Sequence, residues 1–480
     1  MDLFLDPTLK GAKTSEMFEQ LREAMVSGRL AAGDRLPPTR EVAGQLSVSR
    51  STVTTVYGRL AAEGYIEGRA GAGSYVSAGL SSASPALLQP AALQPVVQAP
   101  SSTVQWALSG FDETPPTFDL RTGRPDPALF PLAQWRRCMT TAMQTAPGGY
   151  LNPAGLPALR RALAQWVGRS RAVEATADQV IVTSGAQQGI DLVTRLLVAP
   201  GQAVAVEDPG YPPVAALLAA SGVEVLPVPV DSEGIMVDQI PTRARLVYTT
   251  PSHQAPMGVT MSISRRRELL HFAEQHNVGI IEDDYDSEYR HADRPLEPLH
   301  RLDRHGRVIY VGTFSKTLSP SLRLGFIVLP QSLAAPAIAL RSLIDWQPTA
   351  TLQATLLRFI VDGHLERYLR RTRKIYSERH RIVIDFVRDA VNDGLLVAPH
   401  PSYAGLHVTT LLPAGSDEAT ILKAARTDGI ALGNFELCWQ QPNAPAGLII
   451  GFGATPTADL PVALAALRQV LRKQAGGSPT

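Results

Sequence analysis

The sequence predicts a two-part α/β protein: a small helical unit ending in a β-hairpin, and a large unit built on an open, mostly parallel sheet. Three observations carry this reading. Before residue 63 apolar residues recur at helical spacing, then two short β-rich runs flank a glycine-rich turn. From residue 180 to 311 short apolar β-rich runs alternate with helical patterns, as in a parallel sheet covered on both faces. Between these parts, residues 77–105 carry no charge and place prolines at 85, 90, 95 and 100. Such a stretch resists regular helix and suits a semi-flexible tether. The expected division is 10–78, 79–105 and 106–475. An alternative for the tether is that Leu87, Leu88, Leu93, Val96 and Val97 dock onto the large unit.

Composition narrows the class. The chain has 480 residues, 45% of them hydrophobic, which is enough for a sizeable core plus a small domain. A net charge of +1 implies no strongly polyanionic partner by itself. Cys138 and Cys438 are isolated and make neither a disulfide framework nor a metal cluster, so no metal is expected. No uncharged apolar run is long enough to span a membrane, and the start MDLFLDPTLK lacks the basic and apolar regions of a signal peptide. The expectation is a cytoplasmic protein without a membrane partner.

In the first unit, Met17, Phe18, Leu21, Met25 and Val26 share one helical face, and Gly28 and Gly33 close that helix. Pro37-Pro38-Thr39 reads as a second helix start with Thr39 as N-cap, and Ser47-Val48-Ser49 as a third. Val53, Val56, Tyr57 and Leu60 form the buried stripe of the third helix. The short break at residues 45–49 suits a helix-turn-helix, and residues 66–76 a hairpin, or wing. Residues 1–76 hold nine Lys/Arg and nine Asp/Glu, so total charge does not argue for nucleic acid, but Arg50 and Arg59 are the only charges between Val42 and Ala62.

The words GRLAAGDRLPPTREVAGQLSVSRSTVTTVYGRLAAEGYIEGRAGAGSYV resemble the GntR family of winged-helix DNA-binding domains. The resemblance implies that Arg40 contacts the DNA backbone or a base edge. It implies that Ser49, Arg50, Ser51, Thr52 and Thr54 open a recognition helix facing the major groove, with Gly71 at the wing tip. A helix start carrying hydroxyls and free amides suits phosphate, and an arginine can fork to guanine.

In the large unit, 180–182, 203–206, 223–225, 245–248, 278–281 and 308–311 read as strands, and 187–198, 213–221 and 264–276 as helices. Polar words follow strands: SGAQQG at 184–189, EDPGYP at 207–212, TPSHQAPMG at 250–258, EDDYDSE at 282–288 and FSK at 314–316. In such sheets ligands sit at the carboxyl ends of strands. Lys316 is the only lysine between Lys13 and Lys374, in a chain that otherwise favours arginine there. An amine forms a Schiff base with an aldehyde, and a guanidinium does not. Thr313, Ser315 and Arg323 could bind a phosphate beside it, and together they suggest pyridoxal phosphate.

These words in this order resemble fold-type I pyridoxal-phosphate enzymes of the class I aminotransferase group. With its GntR-like start, the whole chain resembles a MocR/GabR-type transcription regulator. The resemblance implies a Schiff base at Lys316, Asp283 on the pyridine nitrogen, Tyr285 on the ring hydroxyl and Tyr211 stacked on the ring. It implies that the amides of Ala186 and Gln187 hold the phosphate with Ser315 and Arg323, and that Tyr150 reaches the phosphate of a partner subunit in a homodimer. Its partners would be promoter double-stranded DNA and a small-molecule amine or amino-acid effector, or pyridoxal phosphate itself.

The chain departs from the group's pattern at three places. Ala255 stands before Pro256 where the group has Asn, leaving His253 or Gln254 as replacements. Ile449 stands where the group has an arginine that binds the substrate carboxylate, and Pro213 where some GabR-like relatives have a second arginine. The reading is therefore a regulator with at most weak transaminase activity, its effector held by another group such as Arg121, Arg124 or Arg294. The rival reading is a working aminotransferase with a fused DNA-binding module.

Overall fold

The computed structural model describes residues 14–69, 72–78, 115–145, 148–291, 297–398, 400, 402–442 and 444–475. Gly71, Arg294 and the stretch 79–105 lie outside the described residues. The chain divides into two compact units, Met1–Gln98 and Ala99–Thr480.

In the first unit, α1 (Thr14–Val26), α2 (Thr39–Leu46) and α3 (Arg50–Ala62) are followed by β1 (Ile66–Arg69) and β2 (Gly73–Val76), an antiparallel pair in which Ile66 faces Val76. One core holds it together: Met17, Phe18, Leu21 and Met25 from α1, Val42 and Leu46 from α2, Val53, Val56, Tyr57 and Leu60 from α3, and Ile66 and Val76 from the hairpin. Val26, the last residue of α1, falls outside this core and is 60% exposed. The α2 start is also shifted from expectation: Pro38 is the N-cap and Thr39 the first helical residue, with no side-chain cap bond. Proline's fixed φ already holds the entry, here at −59°, so a hydroxyl cap is not required.

The large unit contains an eight-stranded sheet ordered β4 (Val180–Thr183), β11 (Gly325–Val328), β10 (Val308–Thr313), β9 (Gly279–Asp284), β8 (Ala244–Thr249), β5 (Ala203–Asp208), β6 (Glu224–Asp231) and β7 (Gly234–Ile235). β5, β6, β8, β9 and β10 pair in parallel, while β11 runs against both β10 and β4 and β7 against β6. Strand residues alternate between faces. Val204, Val206, Leu246, Ile281 and Ile309 pack under helices Ala186–Leu197 and Pro212–Ala220. Ala203, Ala205, Val247, Ile280 and Val308 pack on the other side, with Leu269 and Ala273 of helix Ile263–His276. The strand expected at 223–225 runs on to Asp231 through Pro227 and Pro229. Being two apart, both prolines direct their missing N–H to one edge, which β7 covers only at Val230 and Asp231.

Helix His364–Asn392 leads to the pair β12 (His407–Leu411) and β14 (Gly447–Gly451), with β13 (Ile430–Leu432) paired in parallel to β3 (Phe118–Leu120), and helix Leu460–Ala475 closes the unit. Their apolar faces merge with Val180, Val182, Tyr310 and Phe326 of the main sheet into a continuous core.

Candidate functional site

In the first unit the candidate surface is the start of α3. Ser47 ends α2 in the left-handed conformation at φ 55°, which turns the chain sharply toward Ser49. Ser49 caps α3 by accepting from the Thr52 amide at 3.1 Å. Its Oγ also lies 2.7 Å from Ser51 Oγ and 2.8 Å from Thr52 Oγ1. Thr54 donates to the Arg50 carbonyl at 2.9 Å. Arg40, Ser49, Arg50, Ser51 and Thr54 are exposed and Thr52 half-buried. By contrast Arg59 is paired with Glu63 at 2.8 Å and lies over the Phe18 ring. The buried stripe of α3 therefore leaves its hydroxyls, Arg50 and the positive end of the helix facing outward.

In the large unit the polar words meet at strand ends. After β4, Gly185 adopts φ +96° and opens helix Ala186–Leu197. A Cβ there would come within 2.7 Å of Arg323 Nη2, which itself donates to the Ser184 carbonyl at 2.9 Å. Thr313 and Ser315 share a hydroxyl bond of 3.0 Å at the end of β10. Arg323 thus lies against the turn that opens the helix of Ala186 and Gln187, and the Gln187 side chain donates to the Pro213 carbonyl at 3.0 Å.

Lys316 Nζ donates to the Gly123 carbonyl at 2.9 Å. Burial lowers its pKa, against the opposing charges of Asp286 and Asp283, which favours the nucleophilic free amine. Gly123 has φ +71°, and a Cβ there would lie 2.3 Å from Nζ, so this approach requires glycine. Asp283, on β9, is 3% exposed. Its Oδ2 accepts from Tyr248 at 2.8 Å, while Oδ1 is buried with no protein partner. Burial pushes this carboxyl up to about 7, partly offset by the Tyr248 bond. Tyr211 follows β5 and keeps 40% exposure, and enclosure of its hydroxyl pushes the phenol up to about 12.

The acidic run is built in rather than solvated. Glu282 accepts from the amides of Leu299 and His300, both at 2.8 Å. Asp284 and Glu288 pair with the buried Arg171 at 3.0 and 2.8 Å. Glu207 accepts from Thr249 and Thr250 hydroxyls, each at 2.6 Å. Of the two replacements for the absent Asn, Gln254 is occupied by scaffold: its amide holds the Pro209 and Ala255 carbonyls at 2.8 Å. His253 instead meets the Tyr285 hydroxyl at 3.1 Å. Ile449 is 2% exposed in an apolar cluster with Phe435 and Cys438. Arg121 is bound to Asp119 at 2.8 Å, and Arg124 reaches the same carboxylate at 3.3 Å.

Tyr150 stands apart from this set: it is 82% exposed and its ring lies 4.9 Å from that of Trp346. Sequence reasoning missed Gly123, Tyr248, Glu207 and Arg171. Each acts through a partner far away in sequence; Glu207 stands in the word EDPGYP and Tyr248 ends a predicted strand, but neither position by itself reveals that role.

Fold and sites together define a helix-turn-helix regulator that carries an aminotransferase-type unit. Residues 13–76 match the gntR family of bacterial regulatory proteins, and residues 118–434 match aminotransferase class I and II. The chain is 35% identical to a probable rhizopine catabolism regulatory protein MocR of Rhizobium meliloti, covering 91% of this chain and 89% of the relative. It is 31% identical to the pyridoxine biosynthesis regulator PdxR of Corynebacterium glutamicum, covering 95% of each. Among solved structures, a Pyrococcus horikoshii kynurenine aminotransferase in complex with PMP superposes with a TM-score of 0.70 at 26% identity, over 79% of this chain and 95% of that one. The chain belongs to the MocR-type transcription regulators, in which a GntR helix-turn-helix domain is fused to an aminotransferase class I and II domain. Among the described residues no helix is long and apolar enough to cross a membrane.

Proposed function

We propose that this protein is a pyridoxal-phosphate-dependent regulator of transcription that acts in the cytoplasm, divided into 10–78, 79–105 and 106–475. Residues Arg40, Ser49, Arg50, Ser51, Thr52 and Thr54, with Gly71 of the wing, meet promoter DNA. Lys316 holds the cofactor's aldehyde carbon, Asp283 its ring nitrogen, Tyr285 its ring oxygen and Tyr211 its ring face. Ala186, Gln187, Thr313, Ser315 and Arg323 hold the phosphate. When bound, pyridoxal phosphate supplies an aldehyde that captures amines and a ring that withdraws electrons.

The observation that carries this reading is Asp283 Oδ1, a buried acceptor left without a protein partner beside the Lys316 amine. A protonated ring nitrogen would satisfy that oxygen and favour its charged form. Glycine at 185 and 123 lets Arg323 and Lys316 approach the backbone more closely than any Cβ would allow. An amine or amino acid, or the cofactor itself, then serves as the signal and shifts DNA affinity. Relatives point both ways, since one is named for rhizopine catabolism and another for pyridoxine biosynthesis.

Homodimerisation is supported by an exposed apolar group: Tyr150 at 82%, Leu343 at 84% and Trp346 at 58%. The rival reading, a working aminotransferase, is supported by the same Lys316, Asp283 and Tyr285 set. Buried Ile449, in place of a carboxylate-gripping arginine, weighs against it. The test is the visible spectrum of purified protein with pyridoxal phosphate, then with an amine panel, for wild type and Lys316→Ala. Promoter binding is followed in the same samples. An absorbance band that needs Lys316 and DNA affinity that responds to ligand support the reading. Absence of the band overturns it, and rapid turnover of amino-acid and keto-acid pairs favours the rival.

A further inference from the structure

His253 and Asp286 form a buried pair that the cofactor contacts above do not use. His253 Nδ1 lies 3.0 and 3.2 Å from the two Asp286 oxygens and 3.1 Å from the Tyr285 hydroxyl. Its Nε2 lies 3.3 Å from Ser402 Oγ. The ring is clamped: Gly405, at φ +82°, would bring a Cβ within 2.1 Å of His253 Cε1 and 2.5 Å of Asp286 Oδ2. The His407 ring lies against it, tilted by 42° with centroids 4.7 Å apart.

A single nitrogen cannot both donate to Asp286 and accept from Tyr285. Burial alone would raise the Asp286 carboxyl, but the His253 ring holds it below the usual carboxylate range. A charged carboxylate at 3.0 Å requires a proton on Nδ1, because it would otherwise face a lone pair. Nδ1 is then a donor and offers Tyr285 nothing to donate to. Burial, then the charges of Asp286, Asp283, Glu207 and Asp284, raise the Tyr285 hydroxyl's pKa, so it keeps its proton.

We propose that Asp286 and His253 are positioning residues that fix the Nδ1–H tautomer, and so direct the Tyr285 hydroxyl proton into the pocket toward an anionic oxygen of the ligand. The pair thereby takes over part of the function lost where Ala255 replaces an amide side chain. This rests on the cofactor reading above, in which that oxygen is the ring oxygen of pyridoxal phosphate. A hydroxyl donated to it stabilises its negative charge and eases proton loss from the neighbouring Lys316–cofactor linkage. Asp286→Asn removes the charge that holds the proton on Nδ1; with the proton on Nε2 instead, the Nδ1 lone pair accepts from Tyr285 and draws that proton out of the pocket.

The experiment is a pH titration of the visible absorbance of the full chain loaded with pyridoxal phosphate. Wild type is compared with Y285F, D286N and the double variant. Y285F is expected to raise the apparent pKa of the linkage by about one pH unit, a tenfold change in proton affinity; D286N loses the same hydrogen bond, a rise of about that size set against the loss of a carboxylate charge that itself raises Lys316. The double variant should shift no further than Y285F alone, because both changes remove one hydrogen bond. A double shift equal to the sum of the single shifts overturns the proposal while leaving the cofactor reading standing. A wild type without any band overturns both. Should D286N lack a cooperative melting transition, D286A carries the same comparison, and the same non-additivity with Y285F is required.

Discussion

The two units put polar side chains to opposite uses. At the start of α3 the candidate residues are exposed, and their hydrogen bonds close within four residues of chain. In the large unit Asp283, Thr313 and Ser315 are buried and Lys316 and Tyr285 half-buried, and partners lie far off: 35 residues from Tyr248 to Asp283 and 193 from Gly123 to Lys316. Burial also changes their chemistry, raising Asp283 to about 7 and lowering Lys316. A surface that meets a large charged polymer needs only correct side chains on a firm helix. A pocket that must hold a small ring needs desolvated groups with no alternative partner.

That contrast can be broken or sharpened by experiment. The largest effect is expected from Lys316→Ala: complete loss of the visible band with pyridoxal phosphate, and unchanged affinity of the ligand-free protein for DNA. A matching loss of ligand-free DNA binding would show that the units are not functionally separable. Next comes Arg50→Ala, expected to weaken promoter binding by about 1–3 kcal/mol and leave the spectrum untouched, as read by mobility shift and absorbance.

Asp283→Asn tests the buried side through pH. The folded carboxyl's pKa of about 7 stands above its ordinary 3.8, so the folded state retains that proton between these values. The stability it contributes is full below the lower value and is lost as pH rises through the upper one. Asparagine never ionises. In cofactor-free protein the variant should match wild type near pH 4 and gain about 1 kcal/mol per pH unit up to about 7, then level off. Denaturant melts across that range check it, and a flat difference would mean that Asp283 is not desolvated. The smallest effect is Ser49→Ala, expected to cost the first unit about 1 kcal/mol by removing the α3 cap. Its melting transition should fall while the pH titration of the loaded pocket stays in place.

Much of the architecture was legible because it follows from pattern. The buried stripe Val53, Val56, Tyr57 and Leu60 obeys the helical period, and the six apolar runs from 180 to 311 all form strands of the main sheet. Errors fell where local chemistry competes with packing. Thr39 looks like a cap, but Pro38 already shapes the entry to α2. Pro227 and Pro229 look like strand breakers, yet both lie along a sparsely paired edge.

For the site, sequence alone determined which residue types stand at the strand ends, because each polar word directly follows its strand. It also singled out Lys316, since no other side chain in that span offers an amine. Tertiary structure decided what those residues are. It made the acidic run from Glu282 to Glu288, which starts on β9, a buried network held by Arg171, Tyr310 and two backbone amides. It left Asp283 Oδ1 without a protein partner and gave the Tyr285 hydroxyl its direction through His253 and Asp286. Desolvation and hydrogen-bond direction depend on which atoms surround a group in space, and those atoms come from segments that no local window of sequence brings together.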